Sequence, residues 1–200
     1  MSIQAIRSVF IIGAGTMGCE IALQCARHGV RVVLHDAAPK ALEQAEARLK
    51  AIAHGLRVDV REALARISTS ADVAPAAEAD LIIEAVPENL ELKRRIFAEV
   101  SAVCRPEAIL ATNTSSLIPS QLAASCRHPG RLAAFHFHLP VAISTVVDVM
   151  PHPGTDPAWW KAWRRSPAPS GRFQSATRAS ITATSSTPSS ARCSARRSTW

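Results

Sequence analysis

Three glycines near the start of the chain have the spacing of a phosphate-binding loop. The stretch VFIIGAGTMG, residues 9–18, places Gly13, Gly15 and Gly18 as G-x-G-x-x-G after a short apolar run. Such glycines allow a tight turn, a close approach of the backbone to a pyrophosphate, and close packing of a helix on a strand. A helix that begins here offers free N–H groups and the positive end of its dipole to phosphates. The loop residues expected to contact a dinucleotide are Gly13, Ala14, Gly15, Thr16, Met17 and Gly18.

An acidic residue at the end of the next apolar run extends this pattern. Asp36 follows Gly18 by 18 residues, a spacing at which a carboxylate accepts a hydrogen bond from the ribose 2′-hydroxyl. The same carboxylate repels a 2′-phosphate, so the pattern favours NAD over NADP. Lys40 lies nearby in the sequence and keeps NADP open as the alternative.

His136 and His138 form an H-x-H pair, the second set of residues whose types suggest chemistry. In a regular strand both side chains lie on one face, as in some metal-binding pairs. No third ligand occurs at a useful spacing in the sequence, so no metal site is predicted. A neutral imidazole can also act as a proton acceptor near neutral pH, or it can be a hydrogen-bonded residue of the core.

Short apolar runs alternate with amphipathic segments through the first three quarters of the chain. The predicted strands are 8–12, 31–35, 66–69, 80–86, 108–112, 132–138 and 145–150, and the predicted helices are 16–28, 39–54 with a continuation to 65, 89–104 and 118–125. Strands that alternate with helices indicate a parallel sheet covered on both faces. The sequence therefore predicts an α/β fold, a doubly wound Rossmann-type parallel sheet, over residues 1–157.

Four further stretches carry a resemblance to a known family. EAVPENLELK (84–93), TNTSSL (112–117), FHFHLPV (135–141) and VVDVMPHPGT (146–155) resemble the NAD-binding domain of L-3-hydroxyacyl-CoA dehydrogenases, in the same order and with matching spacing. The resemblance implies NAD as cofactor, a 3-hydroxyacyl-CoA as the acyl-CoA-type substrate, and a place in fatty acid β-oxidation.

The resemblance also implies roles for five residues. His136 matches the base that takes the proton of the substrate hydroxyl, and Asp148 stands where the family has the carboxylate, usually Glu, that partners this histidine. Ser115 matches a serine that contacts the substrate oxygen and the cofactor. Glu88 and Lys93 match cofactor-contacting residues. From the residues alone, two alternatives stay open: Ser115 as the cap of a turn, and Glu88 and Lys93 as a solvated pair on a helix face.

One position near the presumed base departs from the family pattern. Leu139 stands where the family has an Asn that holds the substrate or the nicotinamide. The loss of this amide leaves open a related activity on a free 3-hydroxy acid.

Residues 158–200 have a composition unlike the rest of the chain. They contain seven Arg and Lys161 but no Asp or Glu, so their net charge is +8. Since the whole chain has a net charge of +7, residues 1–157 have a net charge of −1. Ile181 is their only Leu, Ile, Val or Met, and such a composition predicts a disordered basic tail. A near-neutral domain gives no reason to expect a nucleic-acid or membrane partner, although the tail alone fits an acidic partner.

The serine-rich tail also fits a change of reading frame near residue 158. A shift of one base turns TCN serine codons into NTC codons for Phe, Leu, Ile or Val. We therefore expect that the helical second domain implied by the resemblance, with its homodimer interface, is lost here. A fragment that binds NAD without catalysis is the alternative to an enzyme.

The cysteines and the apolar runs indicate the compartment. Cys19, Cys25, Cys104, Cys126 and Cys193 show no C-x-x-C spacing, which is typical of reduced thiols. No run approaches the roughly 20 apolar residues that span a bilayer. We expect a cytoplasmic protein.

Overall fold

The computed structural model describes residues 6–56, 60–141, 143–144, 146–165 and 174–176. Its strands are β1 Ser8–Ile12, β2 Arg31–His35, β3 Ile67–Ser70, β4 Leu81–Glu84, β5 Ile109–Thr112, β6 Leu132–Phe137, β7 Val146–Pro151 and β8 Gln174–Ala176. Its helices are α1 Thr16–Arg27, α2 Pro39–Leu56, α3 Arg61–Leu64, α4 Leu90–Val103, α5 Ser120–Ala123 and α6 Pro157–Arg165. Over these residues, we find no helix with the length and apolar character needed to cross a bilayer.

The strands form one sheet whose order reverses in the middle. The order is β3-β2-β1-β4-β5-β6-β7-β8, and neighbours are parallel except for the antiparallel pair β6–β7. The doubly wound fold that the sequence predicts is confirmed. The chain continues from β1 toward one edge of the sheet and from β4 toward the other edge. In such sheets, ligands bind in the crevice at the carboxyl ends of these two strands.

Two apolar cores cover the two faces of the sheet. Because side chains alternate along a strand, Ile11 of β1 packs into the core that includes Leu23 of α1. Phe10, the preceding residue, packs into the opposite core with Phe97 of α4 and Leu122 of α5. The central strands are buried on both faces, which explains why their sequences are continuously apolar.

Helix α1 has a clear stop signal and helix α4 a clear start signal. Gly29 has a φ of +83° and follows the end of α1, in a backbone conformation that favours glycine. The Asn89 side chain accepts a hydrogen bond of 2.9 Å from the Leu92 N–H and caps α4. This cap fixes the helix that carries Lys93 against the carboxyl end of β4.

Helix α6 differs from the disorder that the composition predicts from residue 158. Trp159 and Trp163 are 2% and 8% exposed, and the Trp163 ring lies 4.9 Å from that of Phe135. The prediction of disorder rested on the lack of aliphatic residues in this segment. Large aromatic side chains at helical spacing nevertheless bury enough apolar surface to dock one short helix. Beyond it, only β8 is described; residues 166–173 and 177–200 of the predicted tail lie outside the described residues.

Candidate active site

The loop after β1 contains three glycines. At two of them the surrounding backbone leaves no room for a side chain, and the third faces open space. Gly13 has a φ of +107°, and a Cβ there would lie 2.7 Å from the Ala85 carbonyl oxygen; a Cβ on Gly18 would lie 1.8 Å from the Gly13 oxygen. At Gly15 a Cβ would meet no atom within 4 Å. Gly13 and Gly18 therefore hold the turn and the helix together, while the absence of a side chain at Gly15 leaves a cradle for a ligand.

Asp36 holds this loop through its carboxylate. Its Oδ2 accepts a hydrogen bond of 2.9 Å from the Ala14 N–H, and its Oδ1 accepts one of 2.9 Å from the Ala38 N–H. Each oxygen keeps a further lone pair for a sugar hydroxyl. The open space at Gly15, the start of α1 and this carboxylate together fit a dinucleotide with a free 2′-hydroxyl.

A fully buried ion pair lies behind the carboxyl ends of β4 and β5. Lys93 Nζ is 2.7 Å from Oε1 of Glu84, and neither side chain is exposed. The Thr112 hydroxyl donates to the second Glu84 oxygen at 2.7 Å. Lys93 also lies 3.1 Å from the Glu88 carboxylate. Lys93 is therefore buried and is not part of a solvated pair, the alternative that the sequence left open. Through Glu84, it links α4 to β4 and β5.

Glu88 connects this buried pair to the loop after β5. Its carboxylate accepts hydrogen bonds from the Thr114 hydroxyl and from the Ser116 hydroxyl and N–H at 2.8 and 3.1 Å. Partial burial opposes ionisation, but these bonds and the Lys93 ammonium lower the pKa of Glu88 to about 2. The ordered loop presents Ser115 as an exposed residue between two anchored neighbours.

The antiparallel pairing of β6 and β7 brings the two histidines and Asp148 to one face. Asp148 lies directly opposite His136 in the register of the two strands. However, the carboxylate is hydrogen-bonded to His138, whose Nε2 lies 2.9 Å from Oδ2. The centroids of the two imidazole rings are 4.5 Å apart, and the rings meet edge to face at an interplanar angle of 66°. The Asp148 side chain is short, and His138 lies on the same face as His136. The carboxylate therefore pairs with His138, although the resemblance implies a pair with His136.

His136 is kept neutral by its surroundings. Burial lowers its pKa below the usual 6.5, as does His138, while Asp148 and Glu88 oppose the shift. The influence of Glu88 shows that the loop after β4 and the end of β6 share one electrostatic environment. Asn113 fixes this end of the strand, because its Oδ1 accepts the Phe137 N–H at 2.9 Å.

The sequence reasoning missed several members of the site. Glu84, Thr112, Thr114 and Ser116 were not singled out, although polar residues at the ends of neighbouring parallel strands are a usable signal. The spacing argument against a third metal ligand also fails. The ligand atoms of His136, His138 and Asp148 all lie within 4.8 Å of one another, because the third residue comes from the adjacent strand.

Comparisons with known proteins identify the family. The family model described as 3-hydroxyacyl-CoA dehydrogenase, NAD binding domain, matches residues 8–167. The 3-hydroxyadipyl-CoA dehydrogenase of Escherichia coli K12 is 39% identical over 152 residues, which are 72% of this chain and 32% of that protein. A probable 3-hydroxybutyryl-CoA dehydrogenase of Bacillus subtilis 168 is 36% identical over 152 residues, 72% of this chain and 53% of that protein.

A solved structure agrees with these sequence matches. The crystal structure of FadB2 from M. tuberculosis has a TM-score of 0.75 at 32% identity, and the match covers 80% of this chain and 59% of that one. The chain thus spans about a third to about a half of the length of the two relatives described above. Since the family model covers most of the chain, and the fold and the glycine loop agree with it, the chain belongs to the 3-hydroxyacyl-CoA dehydrogenase family and carries its NAD-binding domain.

Proposed function

We propose that this chain carries the nucleotide-binding and proton-transfer part of an enzyme that oxidises the 3-hydroxyl of a 3-hydroxyacyl-CoA. The observation that carries the proposal is the position of the His136 imidazole, near the carboxyl end of β6 and opposite Asp148 on β7. The imidazole lies within electrostatic range of Glu88, which follows β4 at the same edge of the sheet. The acyl-CoA substrate class is taken from the relatives, whose names specify 3-hydroxyadipyl-CoA and 3-hydroxybutyryl-CoA.

The glycine loop and Asp36 would hold the cofactor. The pyrophosphate fits over Gly15 at the start of α1, and the ribose hydroxyl fits the remaining lone pairs of Asp36. When bound, NAD supplies the hydride acceptor of the reaction. Lys93 stays buried and acts through Glu88, whose position it fixes at 3.1 Å.

His136 would accept the proton of the substrate hydroxyl. As the O–H bond breaks and an N–H bond forms on the imidazole, the C3 hydrogen leaves as hydride and the carbonyl forms. The resulting imidazolium is stabilised by the negative charges of Asp148 and Glu88, the two groups that raise the pKa of His136. A base whose pKa lies below 6.5 is already unprotonated at neutral pH.

Ser115 would contact the reacting oxygen. It is exposed on a loop whose neighbours, Thr114 and Ser116, are hydrogen-bonded to Glu88. A hydroxyl accepts from the alcohol and donates to the ketone, so the same residue serves both directions of the reaction.

Two other functions follow from specific features. Leu139 is 55% exposed where the family pattern has a polar amide, and this difference favours a substrate other than an ordinary acyl-CoA, such as a free 3-hydroxy acid. The family model that matches is that of the NAD-binding domain, and NAD binding without turnover is the second alternative.

Hydride transfer and cofactor binding, measured separately, distinguish these functions. The purified chain is assayed for NADH oxidation with acetoacetyl-CoA and with acetoacetate, and NADH affinity is measured by calorimetry. We expect turnover of acetoacetyl-CoA that His136→Asn lowers by about 10²–10⁴-fold without a change in NADH affinity. His54→Asn, which alters an exposed histidine of α2, is the matched control.

The pH profile provides a second readout of the same base. In the oxidation direction His136 must be neutral, and its lowered pKa places the acid limb of kcat/KM below pH 6.5. An acid limb above 6.5 contradicts His136 as the base. NADH binding with no turnover of either substrate supports the binding domain instead.

A further inference from the structure

The pair of histidines and the carboxylate form a cluster that the proposed reaction does not fully use. His136 lies in β6, and His138 follows two residues later, just beyond the end of the strand. Asp148 is opposite His136 on β7. The ligand atoms of all three lie within 4.8 Å of one another. Proton transfer from a hydroxyl needs one imidazole and one carboxylate, so the second imidazole requires another explanation.

The chemistry of the three groups is that of a transition-metal site. Two imidazole nitrogens and one carboxylate oxygen are common ligands of Zn²⁺, which binds them at about 2.0–2.2 Å and keeps a fourth position for water. Tetrahedral bonds of that length place ligand atoms roughly 3.3 Å apart. The His138–Asp148 contact of 2.9 Å is already close to that separation. Changes in side-chain torsion angles that bring the other ligand atoms closer by up to about 1.5 Å complete the geometry.

Access and charge at the cluster also suit a cation. The His138 and Asp148 side chains are 44% and 28% exposed, so an ion can enter and a water can complete its coordination. Within the described part of the chain, the only hydrogen bond that we find to either imidazole is the one between His138 and Asp148. Of the three groups in the cluster, the Asp148 carboxylate supplies the negative charge that a cation requires.

We propose that His136, His138 and Asp148 bind a divalent transition-metal ion of the Zn²⁺ type. The site depends on the second histidine, because His136 and Asp148 alone supply two ligands, fewer than the three protein ligands of an open zinc site. The site shares His136 and Asp148 with the proposed reaction, but neither NAD nor a substrate takes part in metal binding.

Metal binding has a consequence for the reaction, and this consequence rests on the proposed function. A lone pair of His136 that is bound to a metal cannot accept the hydroxyl proton. The ion therefore inhibits hydride transfer, while the glycine loop and Asp36 remain free to bind the dinucleotide.

Calorimetric titration of Zn²⁺ into the full 200-residue chain tests the site. Cys193→Ser is the starting protein, because a cysteine thiolate also binds Zn²⁺. The four cysteines that the structure describes are buried and are left unchanged. We expect one bound ion per chain, with the affinity lowered at least about tenfold by His138→Phe and by Asp148→Asn. His54→Asn is the matched control and leaves the affinity unchanged. Circular dichroism of each variant verifies that it is folded.

The outcomes separate this inference from the proposed function. Equal Zn²⁺ affinity in the starting protein and in both folded variants overturns the site, whatever the enzyme assay gives. Loss of acetoacetyl-CoA turnover on adding Zn²⁺, relieved in His138→Phe, supports the inhibitory consequence. Turnover that persists when the site is saturated with Zn²⁺ overturns that consequence and leaves the binding site intact.

Discussion

At the scale of single residues, the three loop glycines have different physical reasons for lacking a side chain. Gly13 and Gly18 are excluded from carrying a Cβ by backbone atoms of the protein itself. Gly15 has an ordinary φ of −74° and open space beside it. The sequence pattern identifies all three positions, but only the structure shows which of them concern the fold and which concerns the ligand.

Alanine substitutions separate these two reasons. Gly15→Ala is expected to leave the thermal midpoint unchanged and to lower NADH affinity at least about tenfold, or about 1.4 kcal/mol, because its methyl group enters the pyrophosphate space. Gly18→Ala is expected to cost at least about 1–3 kcal/mol of stability, as overpacked sites do. Thermal denaturation and NADH calorimetry check both, and the assignment is contradicted if Gly15→Ala binds NADH like the unmodified chain.

At the scale of secondary-structure elements, the buried charges show how β4, β5 and α4 are held in register. Glu84 closes β4, Thr112 closes β5, and Lys93 lies one turn into α4. Their side chains meet where no water reaches them, at 2.7 Å for both contacts of Glu84. The elements that position Glu88 and Ser115 are therefore joined by a polar network rather than by apolar packing alone.

Removal of the lysine tests this joint. Lys93→Met leaves the Glu84 carboxylate buried without its cation, and the loss of one partner of a buried pair costs about 3–5 kcal/mol. Denaturant unfolding should show this loss in the absence of any cofactor. Lys50→Met is the matched control, since it removes an exposed pair with Glu46 and should not move the unfolding midpoint. An equal effect of both substitutions would mean that Lys93 has no structural role.

At the scale of the whole molecule, the described domain ends in a segment whose composition changes abruptly. Helix α6 crosses residue 158, and the family match continues to residue 167. Because the match extends past residue 158, we propose that the reading frame changes beyond α6 rather than at residue 158 itself. The basic, serine-rich composition of the following residues fits a one-base shift of apolar codons.

Sequencing of fresh genomic DNA over codons 150–175 tests the reading frame. We expect a single-base insertion or deletion whose correction replaces the serine-rich segment by an apolar, helix-forming one. The corrected product can be compared with the present chain in mass and in acetoacetyl-CoA turnover. An intact frame in independent DNA samples would refute the proposal and leave the basic segment as a natural part of the protein.

The prediction of the fold from the sequence succeeded where local patterns decide the structure. The strands β1 and β2 and the start of α1 occur as predicted, because apolar runs, glycine stops and the glycine loop act over a few residues. The family resemblance also follows from contiguous motifs. Helix α6 was missed because its docking depends on Trp163 meeting Phe135, a contact that composition does not reveal.

The sequence by itself determined the order of the elements, the glycine loop with Asp36, and the family. Only the tertiary structure decided that Asp148 binds His138, that Lys93 is buried, and that two histidines and a carboxylate converge. These features depend on the register between strands that are distant in the sequence. A side chain on one strand meets its neighbour across the sheet through backbone pairing, and no local periodicity specifies which residues that pairing brings together.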